Sequence, residues 1–533
     1  MFWKFPEEVY KKHCSTTPPA MDNLWKKDSN EAGAFYVDLF ASYSGDKQTE
    51  GLIDEFAKIV AMACSKDDEI STMYRQRGND CFRVKNWSAA MDLYNRSLCF
   101  AEVKSENIAL AYSNRSAAFF QMQKYEEALV DIELSKQANL PERLMPKLEQ
   151  RQRECQKLMA TVQKPNRREF KLSYEANQNF PCIADVVEIK YNREFGRHLV
   201  AKCDIPVGQI ILMERDFIGT RANDEILCRT CFRKNRNFIA CPQCPDAVFC
   251  DIECMNRNIL HKWECGSSQA HLNHDDRFYI QSIFMAIECF PDIESLMEFV
   301  ESALREDPET IPTTIHDLKS SYHFFIKLKT HTNNDDVPLP YDYYKCVTSI
   351  PEITTLFDCE KKRRFLMHLV TYHFFITQTN AIHDVRSKSV NNVFSMTNHS
   401  CAPNLTNYCI GDQCICETIR FVKEGEQLYI NYLGNGTEIA EERRMDLKSR
   451  WDFNCKCEKC EPTDNINNTH LVFDPRFQFA LENLPDERNY PAILEKCRQF
   501  LDEHGHLAWS KEIGLMTHTF AFVAQELYIK PLQ

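Results

Sequence analysis

Long apolar runs are absent from this chain of 533 residues. None approaches the ~20 residues that a membrane-crossing helix needs. The first dozen residues, Met1 to Lys12, also lack the apolar core and small-residue cleavage site of a secretory signal. Glycine is scarce at 14, and no stretch is rich enough in proline, serine and glycine to mark a long disordered tail. An excess of positive charge is missing too: 64 Lys and Arg face 77 Asp and Glu, for a net charge of −13. That total carries no electrostatic footprint of a general nucleic-acid binder, although it does not exclude a local basic patch. These absences point to the cytoplasm or nucleus, where thiols stay reduced. The 25 cysteines then call for metal rather than disulfides. With 44% apolar and 26% charged residues, the composition is that of an ordinary globular protein with room for several domains.

Residues 1–65 read as loosely amphipathic helices broken at Pro18-Pro19, with no recognisable chemistry. From about Ser71 to Ala160 the pattern is helical and repeats. Gly78, Trp87, Ala90 and Tyr94 are echoed by Ser116, Tyr125, Ala128 and Ile132, each 38 positions on. Small residues suit the close approach of two helices, and aromatics fill the space beside them. The pattern resembles the tetratricopeptide repeat (TPR), lengthened from its usual ~34 residues by a longer loop near Ser105. A plain helical hairpin is the simpler alternative. After the linker 164–168 the period becomes strand-like, with strands expected at 186–190, 198–202 and 209–213. Helical periodicity returns over 272–377, a second β-like stretch spans 389–433, and 474–533 is helical again.

Between these regions the potential metal ligands are paired: Cys228-x2-Cys231, Cys241-x2-Cys244, Cys250-x3-Cys254 and His261-x3-Cys265. Two-residue spacing lets two thiolates reach one ion, and three-residue spacing suits a helical turn. Eight ligands complete two tetrahedral zinc sites and leave no open position for a catalytic water. The arrangement resembles the MYND finger. That resemblance implies interleaving, with Cys228, Cys231, Cys250 and Cys254 on one ion and Cys241, Cys244, His261 and Cys265 on the other. It also implies binding of proline-containing peptides.

Three further segments occur in order: Gly196-Arg197-His198-Leu199 with Val207-Gly208, Ser395 to Asn404 with Asn398-His399-Ser400-Cys401 at its centre, and Gly425 to Tyr432. Together they resemble the SET domain of protein-lysine methyltransferases. With a finger between the first and second, the chain is similar to the SET and MYND domain-containing family, in its TPR-bearing branch. The implied fold is α+β and multidomain. A β-rich SET domain is interrupted by a MYND finger and flanked by TPR-like helices and a helical C-terminal segment. The implied boundaries are a helical N-terminal segment 1–65, TPR-like helices 71–160, a first SET part 183–222, the finger 228–265, a helical insert 266–375, the SET core 376–434, a post-SET zinc segment 450–461 and C-terminal helices 474–533.

By the same resemblance the cofactor is S-adenosylmethionine. It would be held by Gly196, Arg197, Asn380, Ser395, Asn398, His399 and Phe453, with Tyr432 as the catalytic residue. Cys455, Cys457 and Cys460 are one ligand short of a third zinc site, and the family supplies Cys401 as the fourth. The expected partners are a protein substrate bearing a lysine and peptide or protein ligands of the finger and the TPR helices. The chain is expected to be a monomer with no membrane partner. Four positions depart from the family pattern: His198 replaces a second glycine, Asn391-Asn392 replaces Tyr-Pro, Trp451 replaces a channel tyrosine and Ile382 a channel phenylalanine. They leave room for an alternative, a catalytically silent scaffold that recruits partners.

Overall fold

The structure, a computed structural model, describes residues 63–529 except for 161–168, 223–224, 235, 268, 270–271, 308–309, 311, 331–340, 385, 435–438 and 462–467. The helices expected over 1–65 lie almost wholly outside the described residues. The chain forms two compact units, one from 63–160 with 221–277 and the other from 169–220 with 278–529.

The first unit opens with α1 (Asp68–Arg83), α2 (Trp87–Phe100), α3 (Glu106–Gln121), α4 (Tyr125–Gln137) and α5 (Met145–Met159). Asp67 and Ser105 cap α1 and α3 by accepting from backbone N–H groups that have no partner inside the helix. The 38-residue periodicity is visible in three dimensions. Phe82 meets Trp87 edge-on at 4.7 Å between ring centroids, and Phe120 meets Tyr125 in the same way at 5.6 Å. The turn before α2 holds Lys85 at φ 63°, and the turn before α4 holds Gln123 at φ 59°. A Cβ on Gly78 would lie 2.6 Å from the Tyr94 ring, so the first hairpin has no room for one. In the second copy Ser116 stands at the position of Gly78 and Ile132 at that of Tyr94.

The finger belongs to this unit. Its hairpin pairs Ile239–Ala240 with Val248–Phe249, followed by short helices Ile252–Arg257 and His261–Glu264. Ala240 packs against Leu98, Ala111 and Tyr112, while Cys99 joins the core around Phe238 and Phe249. A polar knot accompanies this packing. Arg115 grips both oxygens of Asp131 at 2.7 and 2.6 Å and donates to Asn95 and to the Phe238 carbonyl. Asn237 donates to Asp131 and to the Glu127 carbonyl. Arg115 and Asp131 are both fully buried, so each depends on the other and on these bonds.

The second unit begins with the hairpin β1 (Val187–Asn192) and β2 (Gly196–Ala201), continues with β3 (Ile210–Arg215) and ends its first part with β4 (Ile218–Arg221). Gly196 at φ 64° closes the β1–β2 turn, where the Asn192 side chain accepts from the Phe195 N–H. A helical insert follows: α6 (His274–Glu288), α7 (Ile293–Arg305), α8 (Leu318–Ile326), α9 (Tyr341–Thr348), α10 (Pro351–Leu356) and α11 (Glu360–Asn380). Next come β5 (Ile382–Asp384), β6 (Ser387–Val390), β7 (Asn398–His399), β8 (Leu405–Ile410), β9 (Gln413–Thr418) and β10 (Tyr429–Ile430). They make small sheets ordered β8-β9-β3, β4-β6-β5 and β10-β7. Ile183, Leu199, Ile211, Leu405 and Leu428 fill the space between them. The chain ends in α12 (Ala440–Trp451), α13 (Pro475–Asn483), α14 (Tyr490–His504) and α15 (Lys511–Ala524), the last three around Phe477, Ile493, Phe500 and Phe520. No helix among the described residues is long and apolar enough to cross a membrane.

Candidate active site and metal centres

The β7–β10 pair is parallel, which places Tyr429 beside Asn398 and Ile430 beside His399. The Ser400 N–H closes the ladder on the Ile430 carbonyl at 2.9 Å. Two segments about thirty residues apart are thereby locked side by side, and His399 and Tyr432 meet. The Tyr432 N–H donates to His399 Nδ1 at 3.0 Å, and the two rings lie 5.2 Å apart between centroids with their planes tilted by 49°. Because Nδ1 accepts, the proton of the neutral ring sits on Nε2, 3.2 Å from Cys401 Sγ. Burial lowers the His399 pKa to about 4, so the ring is neutral at pH 7. The Tyr432 hydroxyl donates to the Thr397 carbonyl at 2.8 Å, and burial holds the phenol protonated far above its ordinary range.

A cleft of about 1320 Å³ opens here. Gly196, Arg197, Asn380, Ser395, Asn398, His399, Tyr432 and Phe453 all line it, so the structure brings the whole predicted set together. Their hydrogen bonds are partly committed. The Asn398 amide donates to the Phe195 carbonyl at 3.0 Å, and the Asn380 amide gives both N–H groups to the Lys329 and Ile376 carbonyls. Ser395 donates to the Asn391 carbonyl at 2.6 Å. Arg197 Nη2 donates to the Lys327 carbonyl, whereas its Nη1 and the Thr397 hydroxyl are buried without a partner.

The four departures divide. Trp451 and Ile382 line the cleft; Trp451 stands 5.0 Å from Tyr432, with its indole N–H on the Thr379 carbonyl. His198, Asn391 and Asn392 are buried and do not line it. His198 shares a hydrogen bond with the Gly196 carbonyl, and the two asparagines donate to Asp216 and to the Ser321 carbonyl.

Three groups of four ligands converge, with the ligand atoms of each within 4.8 Å of one another: Cys228, Cys231, Cys250 and Cys254; Cys241, Cys244, His261 and Cys265; and Cys401, Cys455, Cys457 and Cys460. The thiols show why such a set needs a cation. Hydrogen bonds from Cys231 and Cys244 push Cys228 and Cys241 down to about 2 and about 3. Cys250 and Cys244 are pushed far up by their bonds to those same sulfurs. One proton leaves a crowded set easily and the next does not, unless a metal shares the charge. Four sulfur or nitrogen donors, with no fifth in any group among the described residues, make each a closed site suited to zinc.

Sequence reasoning missed the residues behind these ligands. Glu264, gripped by Arg229 at 2.7 Å, stands 3.7 Å from His261 Nδ1. Arg443 on α12 donates to Cys460 Sγ at 3.4 Å, offsetting thiolate charge. The Arg443-Arg444 pair one helix before the cysteines was the available signal. Thr397 carries none, because its carbonyl is what Tyr432 uses.

Comparison with known proteins agrees with this geometry. The SET domain family profile matches residues 196–433. Protein-lysine N-methyltransferase SMYD4 of Danio rerio is 28% identical over 38% of this chain and 30% of its own length. SMYD4 of Homo sapiens is 20% identical over 74% of this chain and 67% of its own. The histone-lysine N-methyltransferase SMYD1 of Homo sapiens is 22% identical over 58% and 66%. The match to the zebrafish protein thus spans under a third of that relative. The SET domain profile thus spans the segments that build the cleft, and the chain is similar to members of the SET and MYND domain-containing family.

Proposed function

We propose that this protein is an S-adenosylmethionine-dependent protein-lysine N-methyltransferase. The observation that carries the reading is the placement of Tyr432, pinned at its N–H by His399 and at its hydroxyl by Thr397 in the wall of the cleft. The donors present suit the cofactor. Arg197, with a buried nitrogen lacking a partner, is the cation for its carboxylate, and the Phe453 ring offers a face for its purine. When bound, it supplies an electrophilic methyl carbon on a sulfonium. The protein's part is to orient the lysine amine and keep it unprotonated. The aromatic wall of Tyr432, Trp451 and Phe453 disfavours an ammonium without a counter-charge, and the fixed phenol oxygen sets the line of approach.

The three ligand groups hold zinc in this reading, two ions in the MYND finger and one beside the cleft. The third sets Tyr432 indirectly: a metal on Cys401 orients His399, and His399 orients the Tyr432 backbone. The finger and TPR-like helices are the partner-binding part of a protein working in the cytoplasm or nucleus. Trp451 and Ile382 in the cleft wall favour the second reading, a silent scaffold.

One experiment separates the two. Labelled methyl transfer to lysate proteins is compared between wild type and Tyr432→Phe, with cofactor affinity measured alongside. The variant should keep its affinity and lose roughly a hundredfold or more in transfer, the scale on which lost alignment acts. Equal background transfer from both, with both binding cofactor, would leave the scaffold.

A further inference from the structure

Glu214, near the end of β3, is buried and does not line the cleft. Its partners are main-chain donors. The Val393 N–H reaches its two oxygens at 3.0 and 3.1 Å, and the Phe394 N–H reaches one of them at 2.8 Å. The turn Phe394–Met396 starts at these N–H groups. Within it the Met396 N–H donates to the Val393 carbonyl at 3.0 Å, and the Thr397 N–H to the Phe394 carbonyl at 2.8 Å. Ser395 ties the turn to the Asn391 carbonyl by its N–H at 3.0 Å and its hydroxyl at 2.6 Å. Phe394, Ser395, Met396, Thr397 and Asn398 then line the cleft, and the Thr397 carbonyl receives the Tyr432 hydroxyl. Glu214 thus stands directly behind one wall of the cleft. Burial drives its pKa up, while the N–H groups of Phe394, Val393 and Asn392 favour the charged form, and the balance lies at about 7. The other titratable groups that face it among the described residues are Asp216, just beyond β3, which raises it further, and the thiols of Cys182 and Cys414, which burial keeps protonated.

We propose that Glu214 is a positioning residue for cofactor binding, and that taking up a proton slackens the loop it holds and weakens the cofactor's grip on the cleft. The ionised carboxyl gives the Val393 and Phe394 N–H groups charge-assisted bonds, about twice as strong as neutral ones. Once protonated it is itself a donor facing donors, and its acceptor capacity falls. The loop then has weaker support behind Ser395, Thr397 and Asn398. A cofactor seated against this wall favours the tight loop and hence the charged carboxyl. Binding therefore expels the proton wherever the free protein holds one. For the fold the sign is the opposite. Folding raises this carboxyl from its ordinary 4.5, so its contribution to stability is present at acid pH and is lost as the pH rises through about 7. A residue with only a structural part would move binding and stability together, whereas Glu214 moves them in opposite directions. The inference rests on the cofactor reading of the cleft and adds to it a control by acidity.

The test is calorimetry of S-adenosylhomocysteine, which binds without reacting, on the full chain from about pH 6 to about pH 8. Wild type should bind about five- to tenfold more weakly at the lower end, the scale that one linked proton with this pKa allows. Midway, runs in two buffers of different ionisation heat should show up to about one proton released on binding. Glu214→Gln keeps the shape and cannot ionise. It should bind at every pH about as weakly as wild type does at the acid end, and release correspondingly fewer protons. Titration of the ligand itself is common to both proteins and drops out of their ratio. As the pH rises, the wild-type melting temperature should fall relative to the variant's while its relative affinity grows. A ratio of affinities that does not change with pH, or affinity and melting temperature that rise together, would overturn the proposal. Should the variant not fold, the wild-type proton release decides alone, and its absence overturns the proposal. Wild type that binds no S-adenosylhomocysteine at any pH would instead overturn the cofactor reading, and this inference with it.

Discussion

The finger and the cysteine group beside the cleft use the same ligand atoms and are held in opposite ways. The finger's eight ligands lie within one short stretch of sequence, and its hairpin is backed by α2, α3 and α4 through Ala240, Phe238 and the Arg115–Asp131 pair. The cleft group joins Cys401 to three cysteines more than fifty residues later, and behind it stand His399 and Tyr432. The difference shows what a metal would do in each place. In the finger it would replace a core too small to hold itself, with the helices completing that core. At the cleft it would cross-link distant segments and fix the orientation of Tyr432 through His399.

The sharpest way to break this comparison is at Arg115. Arg115→Leu leaves Asp131 buried without its partner and should cost about 3–5 kcal/mol. Followed by hydrogen exchange, the finger hairpin 239–249 should lose protection together with α3 and α4, while the hairpin of β8 and β9 in the other unit keeps its own. Unchanged exchange in the finger would mean that it stands without the helices.

A smaller effect is expected at the cleft. Cys401→Ser should remove one metal ion by elemental analysis and lower methyl transfer about a hundredfold, or about 2.7 kcal/mol of barrier, with the finger's ions retained. Full activity with one ion fewer would sever the link from metal to Tyr432 through His399. The smallest effect tests whether the helices have a stability of their own. Gly78→Ala drives a methyl group into the Tyr94 ring and should cost about 1–3 kcal/mol in urea unfolding, without changing either metal content or activity.

Much of this was legible from spacing and order. Cysteine pairs two and three residues apart marked the ligands and the MYND resemblance supplied their grouping, while the SET resemblance drew Gly196-Arg197, Asn398-His399-Ser400 and Tyr432 to one cleft before any distance was known. The repeat was legible because helix crossings demand small residues at fixed intervals. What escaped depends on contacts with no sequence pattern. Arg115 reaches the Phe238 carbonyl across 123 positions, and a charged residue inside a helical repeat reads as solvent-facing until its partner is seen. Glu214 is similar: this buried carboxyl accepts the N–H groups of Val393 and Phe394 and so props the loop that leads into the cleft. Main-chain partners carry no side-chain signature, and neither Thr397 nor Phe195 could have been singled out.

The parallel pairing of β7 with β10 also sets an order of events during synthesis. The hairpin of β8 and β9 lies between them in the chain, so it can close while β7 still lacks a partner. Tyr432 takes its place only after β10 arrives, and the wall of Trp451, Phe453 and Cys457 follows still later. Contacts this far apart in sequence are slow to form. A ribosome-bound chain that has exposed every strand of the domain but not yet residue 457 therefore has no finished cleft. The cleft closes late, and a ligand or metal held there would act as a last piece of the fold.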